Sequence, residues 1–526
     1  MNEASEAARS ESEPQTAPPL PEGLQAFLLA LERDFEPRRG ELLAARARAL
    51  ALAHAGRLPG YRTGSEAQRG AWRIELPPWA RDQRNQITGP ADNAKLLIGM
   101  LNSGAPGCMP DGEDSITTDW RNVRAAQQNT VAAIEERLSA VHPETGARLA
   151  VRPSAQTVFY RPRGLAMSET RAIAGRALSA SLFDLGAVFF QTRERRKAAG
   201  SDAALSAKLC FYVPKVESAE EAGWFSDLLA AMEAACGVPA GSTKIMFLIE
   251  SLPAAYQAEE ILHAARRHAI GLNLGRWDYM ASLLHFKLAD PEWILPDRNT
   301  IPHDIAFFQN IRYRIVDVCH RRGALAVGGM TALFPDRKDA QVNQRAMERL
   351  AADKRNEAAI GFDGAWTGHP DQQPGAIAQF PEPNQLSVTH PDAPREPDLT
   401  PRPAGAGRVT LAGTRDAVRT VIEYRLGVLS GLGARLIKGY APDGSLIGGF
   451  MEDLATDRIY RLMLAQRVRH AVATEEGPRV DGALLARLFD EELAKLLEAA
   501  PPSEDARQRC RKARESSERM IAQSEF

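Results

Sequence analysis

Apolar residues fall along this chain in two rhythms: short unbroken runs, and longer stretches with helical spacing. The clearest case spans residues 244–279. Ile245-Met246-Phe247-Leu248-Ile249 stops at Glu250, and a helical stretch occupies 254–268. A second run, Ala269-Ile270-Gly271-Leu272-Asn273-Leu274-Gly275, then stops at Arg276-Trp277-Asp278-Tyr279. Strand, helix and strand, with a carboxylate beyond each strand, make a βαβ unit presenting two acids to one rim. From about residue 72 to 370 the rhythm repeats, with strands expected at 86–89, 107–111, 157–163, 209–215, 244–249, 270–275, 324–328 and 364–367. Amphipathic segments such as 219–236 and 304–321 separate them. Eight such units predict an α/β fold, a (β/α)8 TIM barrel, with its site at the carboxyl ends of the strands.

The flanks read differently. Residues 1–22 are acidic and Pro-rich and are expected to be disordered. Residues 23–71 are dominated by a helix rich in Ala, Leu, Glu and Arg. Residues 371–407 carry many prolines and no periodicity, as an extended linker along the barrel surface would. Helical patterning returns over 408–526, for example at 414–432 and 455–472, as a separate helical domain.

Composition narrows the function. A chain of 526 residues exceeds one ordinary domain, and 44% hydrophobic with 25% charged residues is globular. A net charge of −2 gives no electrostatic reason to bind nucleic acid or an anionic membrane. Cys108, Cys210, Cys236, Cys319 and Cys510 are scattered without CxxC spacing, which fits reduced thiols in the cytoplasm. No apolar run is long enough to span a bilayer. The amino terminus lacks the apolar core of a secretory signal, and Ser524-Glu525-Phe526 is not a peroxisomal tripeptide. The oligomeric state is open, and a monomer is compatible with the sequence.

Several polar groups fall at expected strand ends. Glu250 and Asp278 suit a hard divalent cation such as Mg²⁺, or serve as loop caps paired with arginines. Arg163, followed by Gly164, places a guanidinium at the rim, to meet a ligand or to neutralise those acids. Glu113-Asp114-Ser115 adds acids that hold metal-bound water or begin a helix. Met451-Glu452-Asp453, taken alone, is an ordinary acidic helix start. Trp366-Thr367-Gly368-His369-Pro370 closes the last strand and either lines a cleft or ends the barrel.

Gly271-Leu272-Asn273-Leu274-Gly275-Arg276-Trp277-Asp278-Tyr279 closely resembles the signature of the shorter, A-type malate synthases. The resemblance runs from about residue 72 to 497 and includes Arg161-Pro162-Arg163-Gly164, Tyr212 to Ser218, Leu248 to Ala254 and Met451-Glu452-Asp453. It implies an N-terminal helical clasp, a TIM barrel and a C-terminal helical plug over the barrel mouth. It also implies condensation of acetyl-CoA with glyoxylate and thioester hydrolysis to malate and CoA, within the glyoxylate bypass. By motif, Arg163 corresponds to the catalytic arginine, Asp453 to the base, and Glu250 and Asp278 to the Mg²⁺ ligands. Gly275, Trp277 and Asp278 would bind glyoxylate along with Arg163, while Ser115 and Pro370 would approach CoA.

Three stretches depart from the family pattern. Leu165-Ala166-Met167 replaces the usual Trp-His, 438–444 is an apparent insertion, and Ile459-Tyr460-Arg461 replaces Ile-Ser-Arg. The first places an altered side-chain set beside Arg163. Such changes leave room for another 2-oxo acid or acyl-CoA, for a lyase acting on a malyl-CoA-like thioester, or for an inactive CoA-binding paralogue.

Overall fold

The computed structural model describes residues 20–200, 209–403, 405–441, 445–501 and 503–524. Most of the expected 1–22 tail therefore lies outside the described residues. Eight parallel strands close into a barrel: β1 (Asn85–Pro90), β2 (Gly107–Asp111), β3 (Thr157–Tyr160), β4 (Cys210–Val213), β5 (Lys244–Ile249), β6 (Ala269–Leu274), β7 (Leu325–Met330) and β8 (Gly364–Thr367). Each strand pairs with its neighbours in chain order, and β1 closes on β8 through Gln86 opposite Trp366. All eight strands read from the sequence are present. Met109, Phe159, Tyr212, Met246, Leu248, Ile270, Val327 and Trp366 fill the barrel interior. The larger core lies between strands and surrounding helices.

Helix boundaries follow local chemistry. Ala219–Cys236 begins where the Ser218 side chain accepts the Glu221 N–H, and it ends at Gly237 with φ of 64°. The single helix expected over 254–268 is instead two short ones, Leu252–Tyr256 and Ala258–Ala264. The amino-terminal helix, Leu24–His54, buries Leu24, Leu28 and Leu31 against the barrel.

The proline-rich stretch runs along the barrel, as its composition suggested. Its backbone carbonyls accept hydrogen bonds from His320 (Val388, 2.7 Å), Arg314 (Arg395, 2.8 Å), Tyr279 (Leu399, 3.1 Å) and Trp293 (Pro401, 3.1 Å). Beyond it come helices Leu411–Val428, Leu454–Arg469, Gly482–Ala499 and Glu504–Ala522. A purely helical reading misses the hairpin β9 (Arg435–Tyr440) and β10 (Leu446–Glu452). Its strands are half-buried and rich in glycine, so their period-2 signal is faint. Residues 438–440 of the apparent insertion are the end of β9; residues 442–444 lie outside the described residues. The hairpin docks on the loop after β7 through Met451 N–H to Ala332 (3.0 Å) and Phe334 N–H to Gly449 (2.9 Å).

Candidate active site at the barrel mouth

Five consecutive strands, β2 to β6, are followed by charged residues that meet above the barrel. Parity decides which ones point inward: Phe159 and Leu248 face the barrel interior, so Arg161 and Glu250, two residues on, stay on that side. At the centre stands Lys215, just past β4. Its Nζ lies 2.7 Å from Asp114 and from Asp278, 3.2 Å from Glu113 and 3.3 Å from Glu250. Lys215 holds φ at 55°, a left-handed conformation costing a non-glycine residue about 1–2 kcal/mol. That backbone directs its own N–H onto Glu250 Oε1 (2.7 Å), while Arg46 of the amino-terminal helix grips its carbonyl (2.6 Å).

Glu250 passes beside Gly275, where a Cβ would stand 2.5 Å from its Oε2. The glycine is required by this close approach. Asp278 lies in the first turn of helix Arg276–Phe286, whose opening amides have no intrahelical acceptor. That turn is anchored by Arg276, whose guanidinium pairs with buried Asp353 at 2.7 and 2.9 Å. Arg458 reaches Asp278 Oδ1 at 3.1 Å.

Arg161 binds Asp111 through Nε and Nη2, both at 2.6 Å, which leaves Nη1 3.4 Å from Asp114 and 3.9 Å from Glu113. Asp453 caps helix Leu454–Arg469 in a reciprocal box with Thr456. Burial, with Asp114 and Asp278 nearby, pushes its carboxyl up to about 7, and Arg161 opposes the rise. Burial likewise pushes Glu113 to about 8 and Glu250 well above the carboxylate range. At Asp114 burial is outweighed by Lys215 and Arg161, and its carboxyl falls below the ordinary value.

The oxygens of Glu250 and Asp278 that approach the same ammonium are hard donors on adjacent strand ends. Lys215 Nζ is thus a stand-in cation between them. Among the described residues no group of three or more His, Cys, Asp or Glu is placed to hold a metal by itself. Two carboxylates with open positions suit a Mg²⁺ that keeps water or substrate as further ligands, so the residues present fit the ion.

Residues 157–398 match the family model described as malate synthase, TIM barrel domain, and 408–526 match malate synthase, C-terminal. A malate synthase from Streptomyces clavuligerus is 37% identical, over 97% of this chain and 95% of its own. The chain belongs to the malate synthase family. Malate synthase A of Escherichia coli K12 is 35% identical over 89% of this chain and 86% of its own. In fold, the chain is similar to a solved Haloferax volcanii malate synthase in a pyruvate and acetyl-CoA ternary complex: TM-score 0.50, 15% identity, 82% of this chain and 98% of that one. Malate synthases are acyltransferases that condense an acyl-CoA with glyoxylate, and this chain is such an enzyme.

Against the malate synthase motif, the structure moves one expected residue. Arg163 does not join the mouth. Its guanidinium is buried on Asp184 (2.9 and 2.8 Å) and Glu169 (2.8 Å), behind Pro162, where β3 has ended and the chain turns toward helix Ala180–Ala198. The arginine in the cluster is Arg161. Likewise, the Leu165-Ala166-Met167 departure is not at the mouth: those three carbonyls accept from Arg39 of the amino-terminal helix at 2.8, 3.3 and 3.0 Å.

Glu113, Asp114, Glu250, Asp278 and Asp453 come together as expected, with Gly275 beneath Glu250. Trp277 donates to Met330 (3.2 Å) and stacks between Arg276 and Arg298. Ser115 gives its hydroxyl to Asp111 (2.5 Å). Pro370 opens a short turn after β8, beside the exposed Arg337–Asp371 pair. Sequence reasoning passed over Arg161, Lys215 and Arg458. Arg161 shares its strand parity with Arg163, so parity did not single it out, and the other two carried no signal beyond their nearness to motif residues.

Proposed function

We propose that this malate synthase condenses acetyl-CoA with glyoxylate in a Mg²⁺-dependent reaction at this mouth, releasing malate and CoA after thioester hydrolysis. The observation that carries the reading is that Asp453, a carboxylate pushed up to about 7, stands among the same groups as Arg161, Glu250 and Asp278.

In this reading Asp453 takes a proton from the acetyl methyl group. An ordinary carboxylate near 3.9 is far too weak a base for so weak a carbon acid, and the raised value narrows that gap. The enolate oxygen develops beside Arg161, held rigid by Asp111; one such preorganised donor is worth about 3 kcal/mol in comparable sites. Glu250 and Asp278 would hold Mg²⁺, which when bound polarises the aldehyde carbonyl of glyoxylate. Opening amides of helix Arg276–Phe286 would receive the glyoxylate carboxylate, in keeping with the positive end of the helix dipole. Acetyl-CoA would enter between the barrel and the C-terminal helices, past the loop of Ser115 and Ile116 that packs against Gly433.

The Leu165–Met167 segment, held by Arg39 away from the cluster, gives no reason to favour a different oxo acid. The test is CoA release from purified protein with acetyl-CoA, glyoxylate and Mg²⁺, alongside pyruvate and propionyl-CoA. Turnover fastest with acetyl-CoA and glyoxylate supports the proposal; none above blank refutes it. Five free, buried cysteines suit a reducing compartment, and we place the enzyme in the cytoplasm; among the described residues no helix is long and apolar enough to cross a membrane.

A further inference from the structure

Lys215 has no task in the condensation, yet it occupies the central position of the mouth. Its ammonium touches one oxygen of each residue that would hold the metal, Glu250 Oε1 and Asp278 Oδ2. The same Nζ also touches Glu113 Oε2 and Asp114 Oδ2, which lie on the loop after β2. Four carboxylates gathered around one point repel one another unless a cation sits among them. An ammonium and a divalent ion cannot share that point. The Lys215 backbone is pinned at both ends of its peptide, by Glu250 and by Arg46, so only the flexible four-carbon stem is free to yield. Glu113 and Asp114 offer the displaced ammonium acceptors it already contacts.

We propose that Lys215 is a resident counter-ion: it fills the divalent-ion position in the metal-free protein and withdraws onto Glu113 and Asp114 when the ion binds Glu250 and Asp278. The proposal rests on the metal assignment above and deepens it. Lys215 is thus a positioning residue, keeping the acidic rim assembled between metal-bound states and setting how tightly the ion is held.

Three readouts other than turnover test this. Calorimetric titration of metal-free protein with Mg²⁺ should show Lys215→Met binding about ten- to a hundredfold more tightly than wild type. That is the gain expected when a competitor filling the site 90–99% of the time is removed. Metal-free Lys215→Met should also melt below metal-free wild type, with Mg²⁺ restoring it; a fold lost without metal and regained with it is the same result. Unchanged or weaker affinity in Lys215→Met, or a loss of fold that Mg²⁺ does not reverse, would overturn the proposal. In a crystal of wild type grown with Mn²⁺, Lys215 Nζ should lie beyond hydrogen-bond distance of Glu250 while still touching Asp114; an ammonium left on Glu250 would refute the withdrawal. Wild type that binds no Mg²⁺ at all would instead bring down the metal assignment itself.

Discussion

Arg161 and Arg163 stand two positions apart and both bind buried carboxylates, but only one of them reaches the mouth. Arg161 keeps one nitrogen toward the mouth, whereas Arg163 gives all three guanidinium nitrogens to Asp184 and Glu169. Arg161→Ala should therefore abolish CoA release while leaving the fold measurable by circular dichroism. Arg163→Ala leaves buried Asp184 without its cation, while Glu169 keeps Arg171, and should lower unfolding free energy by about 3–5 kcal/mol in denaturant titration. Both arginines share the parity of Phe159, so alternation alone did not choose between them, and motif matching favoured the one next to Gly164. The carboxylates needed no such correction, because Glu250 ends an unbroken apolar run and Asp278 follows an unusual signature. In the proposed reaction Asp453 sets the pH dependence. With its carboxyl pushed to about 7, the basic form is lost as pH falls below that value, so kcat should drop about tenfold per pH unit on the acid side and level off above it. Asp453→Asn should cut kcat by about 10²–10⁴-fold while calorimetry still detects Mg²⁺ binding.

At the scale of the element, helix Arg276–Phe286 shows how a side chain is aimed from behind. Arg276, one turn from solvent by sequence, is buried on Asp353 of helix Ala340–Ile360, which also accepts the Thr331 hydroxyl at 2.7 Å. Asp353→Ala would strand a buried guanidinium; we expect about 3–5 kcal/mol less stability and weaker Mg²⁺ binding, because the turn bearing Asp278 loses its anchor. Strands and helices were readable because apolar runs and helical spacing are local signals. The pairing of Arg276 with Asp353, 77 residues away, is not local and left no trace in either pattern. The β9–β10 hairpin escaped for another reason: its glycines and half-exposed faces weaken the alternation that marks a strand.

For the whole molecule, the proposed base and the proposed metal ligands belong to different parts of the chain, so on this reading activity depends on how the C-terminal helices sit on the barrel. Arg298 fastens that seam. It binds Glu452, the neighbour of Asp453, at 2.6 and 2.8 Å, donates to Tyr460 at 3.1 Å and stacks on Trp277. Nearby, Asp297 accepts from Arg467 (2.8 Å) and from the Thr410 hydroxyl (2.6 Å). Arg298→Met should lower kcat by about a hundredfold, as a displacement near 1 Å does, with Mg²⁺ affinity unchanged. Tyr460, one of the departures from the family pattern, belongs to this seam, where it accepts from Arg298 beside Glu452.

The proposed proton acceptor is also the knot that ties off a helix. Asp453 Oδ1 takes the Thr456 amide at 3.3 Å, at an end whose partial positive charge prefers an anion. Once it carries a proton, Asp453 forfeits that attraction, and the helix end favours giving the proton up again. Readiness for the next turnover is therefore written into the backbone that presents the acid.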